Sequence, residues 1–442
     1  MKIQDRREFL KNLGSLSLAA GTGNIALTSA SGGQIPAVKG DLSNPRKKIF
    51  NGRILTPFRT LHSGTVVISG EKIVEIKEGN ADVPDALEID AGGKFIAPGF
   101  MDLHVHGGGG HDLLDSSVEA FLGMAEAHVQ HGTTSMYPSA ASGDLNELMR
   151  ILELYEQADK QNTKGAQFLG MFLEGPYYSM EQRGAQDPRY VRDPDPAEYQ
   201  DLLSRTSVIK RWDSAPERQG ALEFAEYLLS QGVMPSMGHT SAIYEEVVVA
   251  FEHGYTLATH LYSGMMGVTR RDAFRYAGAV EAAFLIDEMN VEVCSDNRHL
   301  PPPLLKLIYK IKGADRIALI TDSMRAAGMP DGEYIKGNRE KGRIVIVENG
   351  VAMLPDRTSF AGSVATADRL VRVMRDEAGV PLADAVRMMS ATPASIMGVD
   401  DEKGSLVKGK DADIVIFDEE IRIDKTLVKG KLIYDRQMAG ST

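Results

Sequence analysis

The sequence predicts an α/β protein: a (β/α)8 TIM-type barrel carrying a small β-sandwich domain formed by both chain ends. Three observations lead there. Short β-like runs bounded by Gly and charged residues occur near each end of the chain. The long middle alternates apolar strand-like runs with amphipathic helical ones, the rhythm of a parallel sheet. That middle, residues 98–398, is also long enough to close on itself as a barrel.

Residues 1–30 read as a twin-arginine signal peptide. Arg6-Arg7-Glu8-Phe9-Leu10-Lys11 is followed by a weakly apolar stretch over 13–27 and by Thr28-Ser29-Ala30 as a cleavage end. The stretch is too short and too weak for a stable membrane span. Export to the periplasm or beyond is therefore expected, with the cytoplasm as the alternative if the signal does not function. Residues 31–46 read as a linker. The small β domain takes residues 47–97 and 399–442, with strand-like runs at 48–54, 64–70, 73–76, 413–418 and 425–431. Within the barrel, strands are expected at 168–173, 234–237 and 317–321, and helices at 118–131 and 221–229.

Composition narrows the chemistry. The chain has 442 residues with 49 Lys and Arg against 61 Asp and Glu, a formal net charge of −12, and no basic block, which argues against a nucleic-acid partner. Cys294 is the single cysteine, so neither an intrachain disulfide nor a Cys-based zinc site can form. Any metal must be held by His and carboxylate.

Such residues gather at the C-terminal ends of the expected strands, where barrel enzymes place their sites. In Phe100-Met101-Asp102-Leu103-His104-Val105-His106 the two histidines share one side of a strand, because side chains alternate with period two. Glu174 ends an apolar run and precedes Gly175-Pro176, His239 and His260 each follow a short strand-like run, and Asp322 ends another. Each has a bland reading taken alone: an incidental surface histidine, a solvated Glu, a salt-bridged Asp. Their order, His-x-His, Glu, His, His, Asp, is read as one set per successive barrel strand and is hard to obtain by chance.

This ordered set, with Pro98-Gly99-Phe100-Met101-Asp102-Leu103-His104-Val105-His106-Gly107, Leu173-Glu174-Gly175-Pro176, Gly238-His239, Thr259-His260-Leu261-Tyr262, Thr321-Asp322 and Ala361-Gly362-Ser363, resembles the amidohydrolase superfamily. Within it the likeness is to the N-acetylglucosamine-6-phosphate deacetylases, over about residues 47–435. The resemblance implies that Glu174, His239 and His260 bind a principal divalent metal. His104 and His106 would complete a second position with Glu174 as the bridge. One or two cations per subunit are thus expected, zinc first and iron chemically acceptable to the same ligands. Asp322 would be the catalytic acid and base. His299 would contact the sugar, and Arg271 would reach the substrate phosphate from a neighbouring subunit, implying a homodimer. Ala185, Gln186, Ser263, Gly264, Asn297, Phe360, Ala361 and Gly362 fall at substrate-binding positions.

The sequence departs from the pattern on the substrate side. Ser263 stands where relatives carry a side-chain amide, and Gln186 where they carry a histidine. A Gln amide can still donate a hydrogen bond but cannot titrate. The expected function is metal-dependent hydrolysis of the N-acetyl amide of an amino sugar, N-acetylglucosamine-6-phosphate first. The alternatives are a non-phosphorylated N-acetyl sugar or cell-wall fragment, a cyclic-amide or dipeptide hydrolase, and a non-catalytic sugar or metal binder. His62, His111, His128, His131 and His253 receive no functional role.

Overall fold

In the computed structural model, residues 46–439 are described, apart from 341, 358 and 359. The export signal and all but the last residue of the linker lie outside the described residues. Eight parallel strands build the barrel: Phe100–Val105, Thr133–Ala141, Met171–Glu174, Ile209–Ser214, Met234–Met237, Leu257–Ala258, Asn290–Val293 and Ile317–Leu319. We number them first to eighth in that order.

The helices form where apolar residues recur on one face. Val118–Val129 starts at Ser117, whose hydroxyl accepts from the Ala120 N–H at 3.1 Å, and it buries Phe121, Met124 and Ala125. Ala221–Ser230 buries Phe224, Ala225 and Leu228 against the barrel. Phe224 meets the ring of Trp212 edge-on at 5.2 Å, which anchors this helix to the fourth strand.

The eighth strand meets the first without a full ladder. The Asp322 N–H donates to the His104 carbonyl at 2.9 Å, and Val105 pairs with Ser323 in a single parallel bridge. Side chains complete the seam. The buried Asp102 carboxylate accepts from the Thr321 hydroxyl at 2.6 Å, the Thr321 N–H at 3.2 Å and the His104 N–H at 3.3 Å. Burial pushes this carboxyl up to about 7 despite those donors.

One sequence expectation needs correction here. The polar groups do not occupy successive strands; they stand on the first, third, fifth, sixth and eighth. Of the intervening strands, the second carries no His or carboxylate, and the fourth and seventh carry Asp213 and Glu292, which stand behind the cluster rather than in it. The fourth and seventh are also hard to read as buried strands, because Arg211, Asp213 and Glu292 interrupt their apolar runs. The structure explains those charges. Arg211 is fully buried inside the barrel, its guanidinium 3.8 Å from the Phe172 ring centroid. It donates to both oxygens of Glu292, to Ser236 Oγ at 2.9 Å and to Thr259 Oγ1 at 2.7 Å. Burial opposes ionisation of Glu292, but the guanidinium holds it down to about 2.

The two chain ends share one sheet. Its order runs Lys431–Asp435, Ile423–Val428, Ile414–Phe417, Phe95–Pro98, Lys47–Leu55, Thr60–Ser69, Lys72–Glu78, with Leu87–Asp90 paired to Lys47–Leu55. The join is antiparallel, Ile414 opposite Pro98. Ile49, Val66, Ile68, Ile96, Ile414, Ile416 and Leu427 form its dry interior. The buried Lys403 ammonium ties the C-terminal part together, donating to Asp411 at 2.9 Å and Asp413 at 2.7 Å. Among the described residues no helix is long and apolar enough to cross a membrane.

Replacing Arg211 with Met should leave Glu292 buried and unpaired, a loss of about 3–5 kcal/mol. Chemical denaturation of the variant checks this; a midpoint equal to that of the parent protein would refute the pairing.

Candidate metal centre and active site

At the C-terminal end of the barrel the chain bends sharply as it leaves several strands. His239 (φ 46°), His260 (φ 33°) and Asp322 (φ 46°) all adopt left-handed backbone, a conformation that costs a non-glycine residue about 1–3 kcal/mol. The bends aim these side chains at a common centre. Glu174 Oε1 lies 3.2 Å from His239 Nε2, 3.3 Å from His260 Nε2 and 3.8 Å from His104 Nε2. Its Oε2 lies 3.4 Å from His106 Nε2. Asp322 Oδ1 stands 3.2 Å from His106 Nε2 and 3.5 Å from His104 Nε2. The two imidazoles of the first strand face each other, Nε2 to Nε2, at 3.0 Å.

Backbone carbonyls decide which ring nitrogen faces inward. The Nδ1 of His106 sits 2.8 Å from the Ser139 carbonyl, that of His239 2.8 Å from the Gln182 carbonyl, and that of His260 3.1 Å from the Ser263 carbonyl. A carbonyl can only accept, so each Nδ1 carries the hydrogen and each Nε2 presents a lone pair. His104 differs: its Nδ1 faces Glu292 Oε2 at 3.7 Å.

The result is a buried concave set of acceptors pointing at acceptors. Lone pairs and carboxylate oxygens this close repel one another unless positive charge lies among them, as protons or as a cation. Ligand atoms of Glu174, His239 and His260 fall within 4.8 Å of one another, and so do those of His104, His106 and Asp322. This all-nitrogen-and-oxygen donor set fits a divalent ion of the zinc or iron type. With carboxylates alone to answer them, His106 and His260 hold protons. Burial lowers His106, but Asp322 and Glu174 outweigh it and raise it to about 9; burial likewise opposes and Glu174 raises His260 to about 9. Burial works against ionisation of Asp322 too, yet the imidazoles of His104 and His106 hold it well below the usual carboxylate range.

Supporting groups fix the cluster. Gln186 donates from Nε2 to Glu174 Oε2 at 2.7 Å while its Oε1 accepts from the Ser142 N–H at 3.1 Å, which sets the orientation of the amide. Asp213 Oδ1 accepts from the Gly175 N–H at 2.8 Å and from the Tyr178 hydroxyl, holding the turn that follows Glu174. A β-carbon on Gly264 (φ +58) would lie 2.6 Å from His239 Nδ1, so only glycine admits that ring. The Nδ1 of His299 pairs with Asp296 Oδ2 at 2.8 Å, and its ring lies 5.2 Å from that of Phe360. Burial lowers His299, but the Asp296 bond and charge raise it overall.

The cluster opens into a cavity of about 360 Å³. Of the residues singled out from sequence, His106, Glu174, Ala185, Gln186, His239, His260, Ser263, Gly264, His299, Asp322, Phe360, Ala361 and Gly362 line it. His104 sits fully buried beside the cluster and does not line the cavity. Two of the residues singled out from sequence lie outside this chain's own cavity. Asn297 turns in left-handed backbone (φ 60°) outside the lining, because the Asp296 carboxylate folds the loop by accepting from the Arg298 and His299 N–H groups. Arg271 ends one strand of the hairpin Thr269–Arg271 and Phe274–Tyr276, exposed and away from the cavity. Sequence reasoning missed Asp112, Leu113, Leu114, Ser139, Met324, Lys336 and Gly337, which also line it. The Asp112 and Lys336 segments bear no strand-end motif that could have flagged them.

Comparison with known proteins agrees with this geometry. Residues 95–433 match the model of the amidohydrolase family. The chain is 33% identical over 341 residues to the N-acetylglucosamine-6-phosphate deacetylase of Vibrio furnissii, covering 77% of this chain and 83% of that protein. It is 33% identical over 340 residues to the N-acetylgalactosamine-6-phosphate deacetylase of Escherichia coli O157:H7, covering 77% and 88%. Its fold superposes on the N-acetylglucosamine-6-phosphate deacetylase of Pasteurella multocida with a TM-score of 0.81 at 27% identity, covering 88% of this chain and 99% of that one. A Mycobacterium smegmatis deacetylase variant in complex with N-acetyl-D-glucosamine-6-phosphate superposes with a TM-score of 0.80 at 28% identity, covering 88% and 99%.

Because a cation must displace the protons held by His106 and His260, zinc affinity should rise with pH up to about 9 and fall below it, with protons released on binding. Calorimetric zinc titrations at several pH values in different buffers measure both effects; an affinity independent of pH would contradict the assignment.

Proposed function

The chain belongs to the amidohydrolase family, and from that premise we propose that it hydrolyses the N-acetyl amide of an amino sugar 6-phosphate, N-acetylglucosamine-6-phosphate first, to the free amine and acetate. It is a deacetylase-like hydrolase of carbon–nitrogen bonds other than peptide bonds. The observation that carries the hydrolytic reading is the convergence of Glu174, His239 and His260 beside His106 and Asp322 at one cavity, with His104 buried next to them. The names of the relatives point the same way, since each acts on a phosphorylated N-acetyl hexosamine.

In this reading Glu174, His239 and His260 hold one divalent ion, zinc by preference, and His104 and His106 with Glu174 offer a second position. A bound ion supplies Lewis acidity toward the amide carbonyl and acidifies water. The chain's own groups do the rest. Asp322, ionised and at the cavity wall, takes a proton from the attacking water and delivers it to the sugar nitrogen as the C–N bond breaks. The amine leaves as –NH2, while the water's oxygen and its second proton stay in acetic acid, which then gives up that proton to the amine or to solvent to leave acetate. Gln186 fixes the Glu174 carboxylate, and His299, steered by Asp296, faces the sugar.

Arg271, on its exposed hairpin, suits a role in a partner's cavity, and we include a homodimer in the proposal on that ground. The twin-arginine pattern at Arg6-Arg7 supports export. An exported enzyme would meet non-phosphorylated cell-wall sugars, which makes N-acetylglucosamine the comparison substrate of interest.

Asp322→Asn should lower kcat by about 10²–10⁴-fold while metal content stays at the parent level. Acetate release together with metal analysis reads both, and undiminished turnover would reject the role given to Asp322. With the parent protein, kcat/KM for N-acetylglucosamine-6-phosphate should exceed that for N-acetylglucosamine; the reverse order would move the substrate to the non-phosphorylated class.

A further inference from the structure

After the eighth barrel strand the chain builds a four-stranded antiparallel sheet from Gly332–Lys336, Arg343–Glu348, Val351–Met353 and Phe360–Gly362. Its first strand ends at Lys336, and among the described residues that line the cavity this is the only lysine or arginine. The ammonium lies 3.8 Å from where a β-carbon on Gly362 would stand, so it rests against the strand that forms part of the same cavity wall.

Its placement is built rather than incidental. Arg325, three residues after Asp322 and itself buried, donates to the carbonyls on either side of Lys336, Ile335 at 2.6 Å and Gly337 at 2.5 Å. The same guanidinium is anchored by Asp115 at 3.0 and 2.8 Å. The Gly337 N–H donates to Asp112 Oδ2 at 3.3 Å. Lys336 is thus clamped at its backbone, half-buried, by the segment that also delivers Asp322.

Nothing among the described residues answers its charge. The three carboxylates of the cavity are engaged elsewhere. Asp112 accepts from the Leu114 and Gly337 N–H groups, Glu174 faces imidazoles and Gln186, and Asp322 faces His104 and His106. The basic neighbours Arg325 and Arg339 both pair with Asp115. In a chain of net charge −12, a lysine held in the cavity without an internal counter-charge marks where a ligand brings the negative charge. Arg271 cannot do this in its own chain, being outside the cavity.

We propose that Lys336 is a specificity-determining residue that receives an anionic group of the substrate, a phosphate ester or a carboxylate, within the same subunit. This deepens the deacetylase reading and rests on it. Lys336→Met is compared with the parent holoenzyme on N-acetylglucosamine-6-phosphate, N-acetylmuramic acid and neutral N-acetylglucosamine. The expected result is a fall of about 10- to 100-fold in the ratio of kcat/KM for an anionic sugar over the neutral one, carried by KM, with Lys336→Arg recovering part of it. Which anionic sugar shows the fall identifies phosphate or carboxylate as the group received. An equal loss on all three sugars, or no loss, overturns the proposal. Should the parent hydrolyse none of them, the deacetylase reading fails by itself. Calorimetric binding of inorganic phosphate and of acetate to the parent and Lys336→Met then decides the anion site: weakening of either by the substitution sustains it, and identical affinities overturn it.

Discussion

A single carboxylate kept out of water organises the C-terminal face of this barrel. An ionised Glu174 buried without partners would be prohibitively unfavourable, so positive charge or hydrogen-bond donors must reach it from several directions. They come from the first strand through His106, from the ends of the fifth and sixth through His239 and His260, and from the loop carrying Gln186. Reaching a common point from separate strands explains the left-handed backbone at His239 and His260. Unfavourable torsion angles are tolerated there because carbonyl anchors on Nδ1 and the crowding of Gly264 against His239 leave the rings no other place.

Barrel closure and chemistry are made by the same residues. Thr321 bonds Asp102 across the seam, the Asp322 N–H bonds the His104 carbonyl, Ser323 bridges to both Val105 and Ser363, and Arg325 clamps the strand that ends at Lys336. Four residues within the span 321–325 therefore join the last strand to the first, present a carboxylate to the imidazoles and position a cavity wall. Disturbing this segment for one purpose disturbs it for the others.

Legibility in the sequence followed side-chain periodicity. The shared side of His104 and His106 was readable because alternation in a strand is strict, and the helices at 118–129 and 221–230 were readable from their apolar faces. The fourth and seventh strands were not, because their buried charges satisfy one another across the barrel interior, a partnership that no local window displays: Arg211 and Glu292 are separated by 81 positions. The sixth strand, Leu257–Ala258, is too short to register as periodic. Gln186, marked as a substrate contact by resemblance, lines the cavity and also donates to Glu174, a bond that the sequence does not display. Lys336 closes an edge strand of a small sheet and carried no motif at all.

The sheet shared by the chain ends has a consequence for how the protein is made. Phe95–Pro98 finds its antiparallel neighbour only in Ile414–Phe417, more than three hundred residues later. While the chain is still emerging from the ribosome, Ile96 can pair with Ile54 of Lys47–Leu55 on one side, but the other edge of Phe95–Pro98 has no neighbour, and a premature stop before 414 would leave that edge open permanently. Truncated products should therefore be prone to edge-to-edge association and quick to be degraded, even when every barrel strand is present.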